Sequence, residues 1–306
     1  MDLLNIFSCK NINDSSKQLY VKNILKLNDN KTIKNLNFLK NHENIDKKLE
    51  KYKPNTQRSY IISIVSLLKC LNDNKFKKTL DYYYNKMMEY NKVLKTQNEM
   101  TENEKENWIS QEEIHDKYNE IKKDVENINS RNISIDQYNK LLDYMLLSLY
   151  VLNPPRRNKD YQIMKVIKSY NKDLPNENNY LDMSNRKFIF NNYKTNKTYQ
   201  QQIIDINDEL KNVIILYLKY HPLKKEMKNK NFMIDFLVYY NGSNFKNVND
   251  ITRRLNKIFG KNIGVSMIRK IYLTDKYKGS NDEMKKDATA MGTSSNVIEN
   301  NYIKDQ

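Results

Sequence analysis

Near its C-terminus the chain reads Ala290-Met291-Gly292-Thr293-Ser294-Ser295-Asn296-Val297-Ile298-Glu299-Asn300-Asn301-Tyr302. A small-apolar-Gly turn opens a short polar helix, and one tyrosine follows it. Upstream stand Arg157, Lys194 and Arg269, in the order a phosphoryl-transfer site needs. Two guanidinium groups can hold the non-bridging oxygens of a phosphodiester through charge-assisted, often bidentate, hydrogen bonds. They also stabilise the charge that builds in a pentavalent transition state. A tyrosine, with an ordinary pKa of about 10, becomes a usable nucleophile beside such cations, because they favour its phenolate. In-line attack leaves a phosphotyrosine link. A lysine near the leaving 5′ oxygen can act as the general acid. The bond energy stays in the phosphotyrosine, so this chemistry asks for neither ATP nor metal, and the expected cofactor set is none.

Such residues need a scaffold and a polyanionic partner. The 306 residues suffice for two ordinary domains. The net charge of +16 and pI near 9.4 favour a polyanion, since each neutralised phosphate releases condensed counterions. Gly and Pro number only five each, which favours long helices over tight hairpins. Lys, Asn, Ile and Tyr are plentiful, as in a protein written by an AT-rich genome. The two cysteines, Cys9 and Cys70, make no disulfide framework and no CxxC zinc pair. His42, His115 and His221 are scattered without metal spacing. No stretch approaches a membrane span, and the N-terminus lacks a signal-peptide layout, so an intracellular, soluble protein is expected, with nucleus, cytoplasm and viral factory not distinguished.

The first half reads as all helix. Residues 1–12 look like a loose arm. Helical apolar spacing then covers Ser15 to Leu27, Ile33 to Leu39 and Ile45 to Tyr52, the last stopping at Pro54. Asn55 or Thr56 is placed to cap Gln57 to Leu71, and a further helix spans Lys75 to Leu94. Thr96 to Glu106 is polar, a loop or frayed end. Trp108 to Asn127 is helical again, with Trp108 expected to anchor the core of the N-terminal domain. A short linker at Asn129–Asn132 sets the boundary, giving an arm (1–12), a helical domain (13–130) and a second domain (131–306).

In the second domain Ser134 caps a long apolar helix, Ile135 to Tyr150, ending before Pro154-Pro155. Short strands are expected at Tyr180 to Met183, Lys187 to Asn192 and Gln201 to Ile206, with Asn192 to Tyr199 as a hairpin turn. Asp208 to Tyr220, Ile251 to Phe259, Ser266 to Asp275 and Asp282 to Met291 are helical, and Lys224 to Asn231 is a basic loop. The fold class is therefore mainly α with a small β-sheet.

This order resembles the tyrosine recombinase (phage-type integrase) family. That family places an arginine after a long helix, with an acid three positions on; here Arg157 and Asp160 match, with Arg156 as the alternative arginine. It places a lysine on a β-hairpin turn, where Lys194-Thr195 fits and Lys197 is the alternative. Its second box, His-x-x-Arg, appears as Ser266-Met267-Ile268-Arg269. Its final box, Leu-Gly-His, appears as Met291-Gly292-Thr293, with Tyr302 at the family's spacing. Both family histidines are thus replaced, by Ser266 and Thr293. Asn55-Thr56-Gln57-Arg58-Ser59-Tyr60 also resembles the opening of a helix in the family's core-binding domain.

The resemblance implies Arg157, Lys194, Arg269 and Tyr302 as catalytic residues, supported by Asp160, Ser266 and Thr293. Arg156, Lys197, Arg253, Arg254, Lys257 and Lys270 are DNA-binding candidates. A helical core-binding domain and an α/β catalytic domain would close on double-stranded DNA. Site-specific cleavage and rejoining through a 3′-phosphotyrosine would serve integration or excision of a mobile or viral element. The implied assembly is a homotetramer on paired sites; without DNA the basic protomers, repelling one another, are expected to be mainly monomeric. Two alternatives stay open: DNA relaxation in the manner of a type IB topoisomerase, and a catalytically silent DNA-binding protein on the same fold.

Overall fold

Capping chemistry fixes where most helices begin. The computed structural model describes residues 1–95, 100–128, 130–277 and 281–303. The chain divides into two compact units, Met1–Gln97 and Asn98–Gln306.

Among its described residues the first unit holds five α-helices: α1 (Leu3–Ile6), α2 (Asp14–Leu27), α3 (His42–Leu49), α4 (Pro54–Leu71) and α5 (Lys77–Lys95). Asn13 and Asn41 cap α2 and α3. Helix α4 starts at Pro54 itself, not after an Asn55 or Thr56 cap, because a proline in the first turn lacks only an N–H that would be orphaned anyway. It ends at Asn72 in the left-handed conformation, φ 48°. Its Tyr60, Ile61, Ile64 and Leu68 form one core with Ile24 and Tyr83.

Two expectations fail here. Residues 1–12 are not a loose arm: α1 continues into a 3-10 turn, Phe7–Cys9, which buries Leu3 and Phe7, and Cys9 is disulfide-bonded to Cys70. Leu3, Ile6 and Phe7 share one helical face, and that face joins the core. Ile33 to Leu39 is irregular, with a 3-10 turn at Asn37–Lys40. The three-residue spacing of its buried Ile33, Leu36 and Leu39 suits a 3-10 turn as well as an α-helix.

The disulfide closes a loop across a separation of 61 residues. Constraining the unfolded chain over such a loop is worth about 2–4 kcal/mol. Reductant, or Cys70→Ser, should therefore lower the melting temperature of this unit's transition by at least 10 °C or so. Calorimetry of the full chain with and without dithiothreitol checks this; an unmoved transition would show the bond to be dispensable.

The second unit begins with α6 (Glu102–Asn107), α7 (Gln111–Glu126), α8 (Ile135–Val151) and α9 (Asn158–Gln162). There follow β1 (Met164–Ile167), β2 (Asn179–Asp182), β3 (Lys187–Phe190), α10 (Asn196–Tyr199), β4 (Gln202–Asp205), α11 (Asp208–Lys219) and β5 (Met233–Asp235). Helices α12 (Val248–Phe259), α13 (Val265–Lys276), α14 (Asn281–Ala290) and α15 (Ser295–Asn301) complete it. Reciprocal capping boxes start α6 (Thr101, Glu104), α7 (Ser110, Glu113), α8 (Ser134, Gln137) and α12 (Asn247, Asp250).

The boundary thus lies before α6, not at Asn129–Asn132. Helix α7 packs on α8, its Tyr118 ring stacked 5.4 Å from that of Tyr144. Ile114, Tyr118 and Val125 share the core that Leu141, Met145 and Leu149 of α8 occupy. Trp108 packs against this second core, not that of the first unit. The Thr101–Glu104 box makes Glu102–Asn107 a helix where a polar loop or frayed end was expected. Thr96–Glu99, and Asn129 of the expected linker, lie outside the described residues.

The sheet has the order β4-β3-β2-β1-β5, with β1 and β2 parallel and the other neighbours antiparallel. The three expected strands are β2, β3 and β4. Strands β1 and β5, of four and three residues, are additional. The architecture is mainly α with a small mixed sheet.

Candidate active site

Helix α13 carries Arg269 toward its buried side. The residue is 1% exposed, and its Nη1 donates to the Pro155 carbonyl at 2.6 Å. Its Nε and Nη2 are buried and meet no acceptor at hydrogen-bonding geometry. Arg157 is the extended N-cap residue of α9, and its Nη1 is likewise buried and unpartnered. Asn158 fixes that helix: it accepts from Tyr150 at 2.9 Å and donates to Thr252 Oγ1 at 3.0 Å. Orphaned buried donors cost about 1–3 kcal/mol each unless an acceptor arrives. An anion seated between the two arginines would supply it.

These arginines open into a cavity of about 660 Å³, also lined by Lys194, Ser266, Lys270 and Tyr302. Glu104 and Lys159 line it too, and neither stood out in the sequence. The Thr101-x-x-Glu104 capping spacing was readable, but nothing in it revealed that α6 borders the cavity.

Tyr302 follows α15 directly. Ser294 caps that helix through Val297 N at 3.3 Å, and Thr274 Oγ1 holds the Tyr302 carbonyl at 3.2 Å. The ring packs on a small separate core of Leu273, Met284, Met291 and Ile298. The Arg269 guanidinium lies 5.1 Å from its centroid. Burial pushes the Tyr302 phenol up, but Arg269, Arg157 and Lys194 together outweigh it and hold the group below the ordinary tyrosine range. The buried Tyr150 nearby shows the opposite outcome, raised well above that range because burial dominates.

Lys194 is exposed on the connection between β3 and β4, as expected for a hairpin lysine. Thr195 donates its hydroxyl to the Gly292 carbonyl. Gly292 has φ +63°, and a Cβ there would stand 3.0 Å from Tyr193 Cε2. Only glycine meets both demands without strain. Gly292→Ala should destabilise this unit by roughly 1–3 kcal/mol, from the left-handed backbone and the displaced ring. Urea denaturation followed by far-UV circular dichroism measures it.

Several residues stand elsewhere than expected. Arg156 is 1% exposed and salt-bridged to Asp160 at 3.0 Å, so it is an internal strut, not a DNA-binding side chain. Asp160 supports Arg156 directly; its direct partner is not Arg157. Arg254 pairs with Asp143 at 2.6 Å and with Asn139, which removes it from the basic face. Arg253 and Lys257 remain exposed on α12. Lys270 lines the cavity but is ion-paired with buried Glu104. Thr293 is buried at 4% and does not line the cavity, whereas Ser266 does. Lys197 sits in α10, outside the lining set. None of the three histidines lines the cavity. Among the described residues, no group of three or more His, Cys, Asp or Glu side chains is placed to hold a metal, and no helix is long and apolar enough to cross a membrane.

No family model matches the chain, and no curated protein matches it. Among solved structures it is similar to the crystal structure of XerA recombinase, with 13% sequence identity and a TM-score of 0.43. That similarity extends over 99% of this chain and 93% of the other.

Proposed function

We propose that the cavity cleaves and rejoins DNA strands through a 3′-phosphotyrosine intermediate. One observation carries this reading. Tyr302, Arg157, Arg269 and Lys194, far apart in sequence, line a single cavity in which cations hold a half-buried phenol below its ordinary pKa. Unpartnered guanidinium N–H groups accompany it. The net charge of +16 suits a duplex as the partner.

In the proposed step, the two arginines bind the non-bridging oxygens. The Tyr302 phenolate oxygen bonds to phosphorus, and the bond from phosphorus to the 5′ oxygen breaks. Lys194 passes a proton to that leaving oxygen, which departs as a hydroxyl. Rejoining runs the same sequence in reverse and returns the proton. With no histidine in the cavity, the depressed pKa takes the place of a general base: the phenol loses its proton to solvent before the attack. Integration or excision of a mobile or viral element is the role we assign, with the first unit as a second DNA contact and paired duplexes joined by a tetramer. A duplex carrying a nick beside the cleavage site traps the adduct, which a denaturing gel resolves. A protein that binds this duplex without forming adduct would be a binding protein only.

A further inference from the structure

The three backbone carbonyls around the end of α14 are each met by a side chain from elsewhere. Gln202 Nε2, on β4, donates to Thr289 O at 2.6 Å. Arg156 Nη1 donates to Ala290 O at 2.7 Å, and to Gln202 Oε1 at 2.7 Å. Thr195, from the Lys194 loop, donates to Gly292 O. Helix C-termini leave such carbonyls unsatisfied and carry partial negative charge, so a guanidinium there is doubly favoured.

Arg156 is itself held firmly. Asp160 Oδ2 accepts from its Nε at 3.0 Å, and its guanidinium lies 3.9 Å from the Phe190 ring centroid and 5.0 Å from that of Tyr193. It is as buried as Arg269 but, unlike Arg269, does not line the cavity; of its guanidinium nitrogens Nη2 alone has no hydrogen-bond partner. The segment it grips is the one that leads into α15 and Tyr302. That segment packs through its own small core and not through the main one.

We infer that Arg156, Gln202 and Thr195 form a clasp that seats the Tyr302 segment, so that the nucleophile and the Lys194 loop are positioned by one shared set of contacts. Arg156 and Gln202 are positioning residues: they act through the α14 terminus and do not touch the reacting atoms. The inference rests on the strand-transfer reading for its catalytic consequence, but its structural half stands alone. Because the clasp holds both ends of the site, loosening it moves Tyr302 away from Arg157, Arg269 and Lys194 together. The phenol then returns toward its ordinary range.

The test uses the full chain. Arg156→Met removes a buried charge from Asp160 and is prone to misfolding. Gln202→Ala, on the edge strand, and Arg156→Lys, which keeps the charge but not the planar fork, are the informative variants. Without DNA, amide exchange across residues 284–303 should accelerate about tenfold in Gln202→Ala, as one to two lost hydrogen bonds imply, while α8 stays protected. On the nicked duplex, adduct formation should fall several-fold at saturating DNA with affinity retained. Its pH profile should shift to higher pH, which a purely structural role would not produce. Unchanged exchange in both variants, or an unshifted profile, would overturn the clasp. Faster exchange in a protein whose wild type forms no adduct would leave the docking intact and remove the strand-transfer reading instead.

Discussion

Tyr302→Phe is expected to abolish the covalent protein–DNA adduct, a loss on the order of 10⁴-fold or more, as when an enzyme loses its only nucleophile. The substitution removes one oxygen. The ring stays packed against the small core of Leu273, Met291 and Ile298, and it remains available to the Arg269 guanidinium 5.1 Å away. Folding and duplex affinity should therefore be retained within about twofold, since only the reacting atom has gone. The wild-type rate has a signature of its own. In the proposed step Tyr302 reacts as phenolate, and Arg269, Arg157 and Lys194 outweigh burial to hold its pKa below the ordinary tyrosine range. The rate should climb tenfold per pH unit below that pKa and flatten above it, with the bend at lower pH than an ordinary tyrosine would give. Adduct formation by Tyr302→Phe at a rate comparable to wild type would mean that another of the chain's 23 tyrosines reacts.

Arg157, Lys194, Arg269 and Tyr302, which line one cavity, stood out in the sequence because phosphoryl-transfer chemistry asks for such residue types in such an order. Arg157 and Arg269 stood out by their offsets, and an arginine between Ile268 and Ile271 needed a reason to approach a buried face. The three strands flanking Lys194 were equally readable from alternation and punctuation. What sequence order cannot supply is which neighbour a side chain chooses. Arg156 and Arg157 are adjacent and identical in type, yet one is an internal strut and the other lines the cavity; a step of one residue turns the side chain to a different partner. Arg254 looked like part of a basic face with Arg253, and only the packing of α12 on α8 brings it to Asp143. The domain boundary was misplaced for a related reason. A polar stretch at Asn129–Asn132 reads as a linker, whereas the actual division follows the partner that α7 buries its apolar face against. The buried Thr293 bears on the replaced histidines as well. Ser266 lies where a ring would have room, but at Thr293 a ring would have to overpack a site that is 4% exposed.

Arg269→Ala carries the second large expectation, a fall of about 10²–10³-fold in adduct formation at saturating DNA, the usual cost of one donor aimed at a developing oxyanion. Two of its buried N–H groups complete no hydrogen bond of good geometry, with Tyr302 as a polar neighbour, so the folded chain bears part of the cost of leaving them free. In the proposed step, a phosphoryl oxygen that gains charge in the transition state is the acceptor that relieves this cost. Lysine should not rescue the loss, because one ammonium cannot reproduce two N–H vectors of a planar fork. The pH profile separates this role from simple binding. Arg269 is the largest cationic influence holding Tyr302 down, opposed by burial. Its removal should therefore raise the phenol's pKa and move the rising limb of the rate to higher pH, whereas loss of a mere DNA contact would lower affinity at every pH alike. Because Arg269 Nη1 also holds the Pro155 carbonyl, the variant should lose some stability, and circular dichroism must first show it folded. Arg157→Ala, at a half-exposed residue whose Nη1 has no hydrogen-bond partner in the protein, should show a similar kinetic loss with less effect on stability. The double variant should fall short of the product of the two losses, since both guanidiniums serve one phosphoryl group and removing either leaves the other poorly opposed. Full additivity would place the two arginines on different phosphates, and retention of activity within threefold in either single variant would remove that arginine from the site.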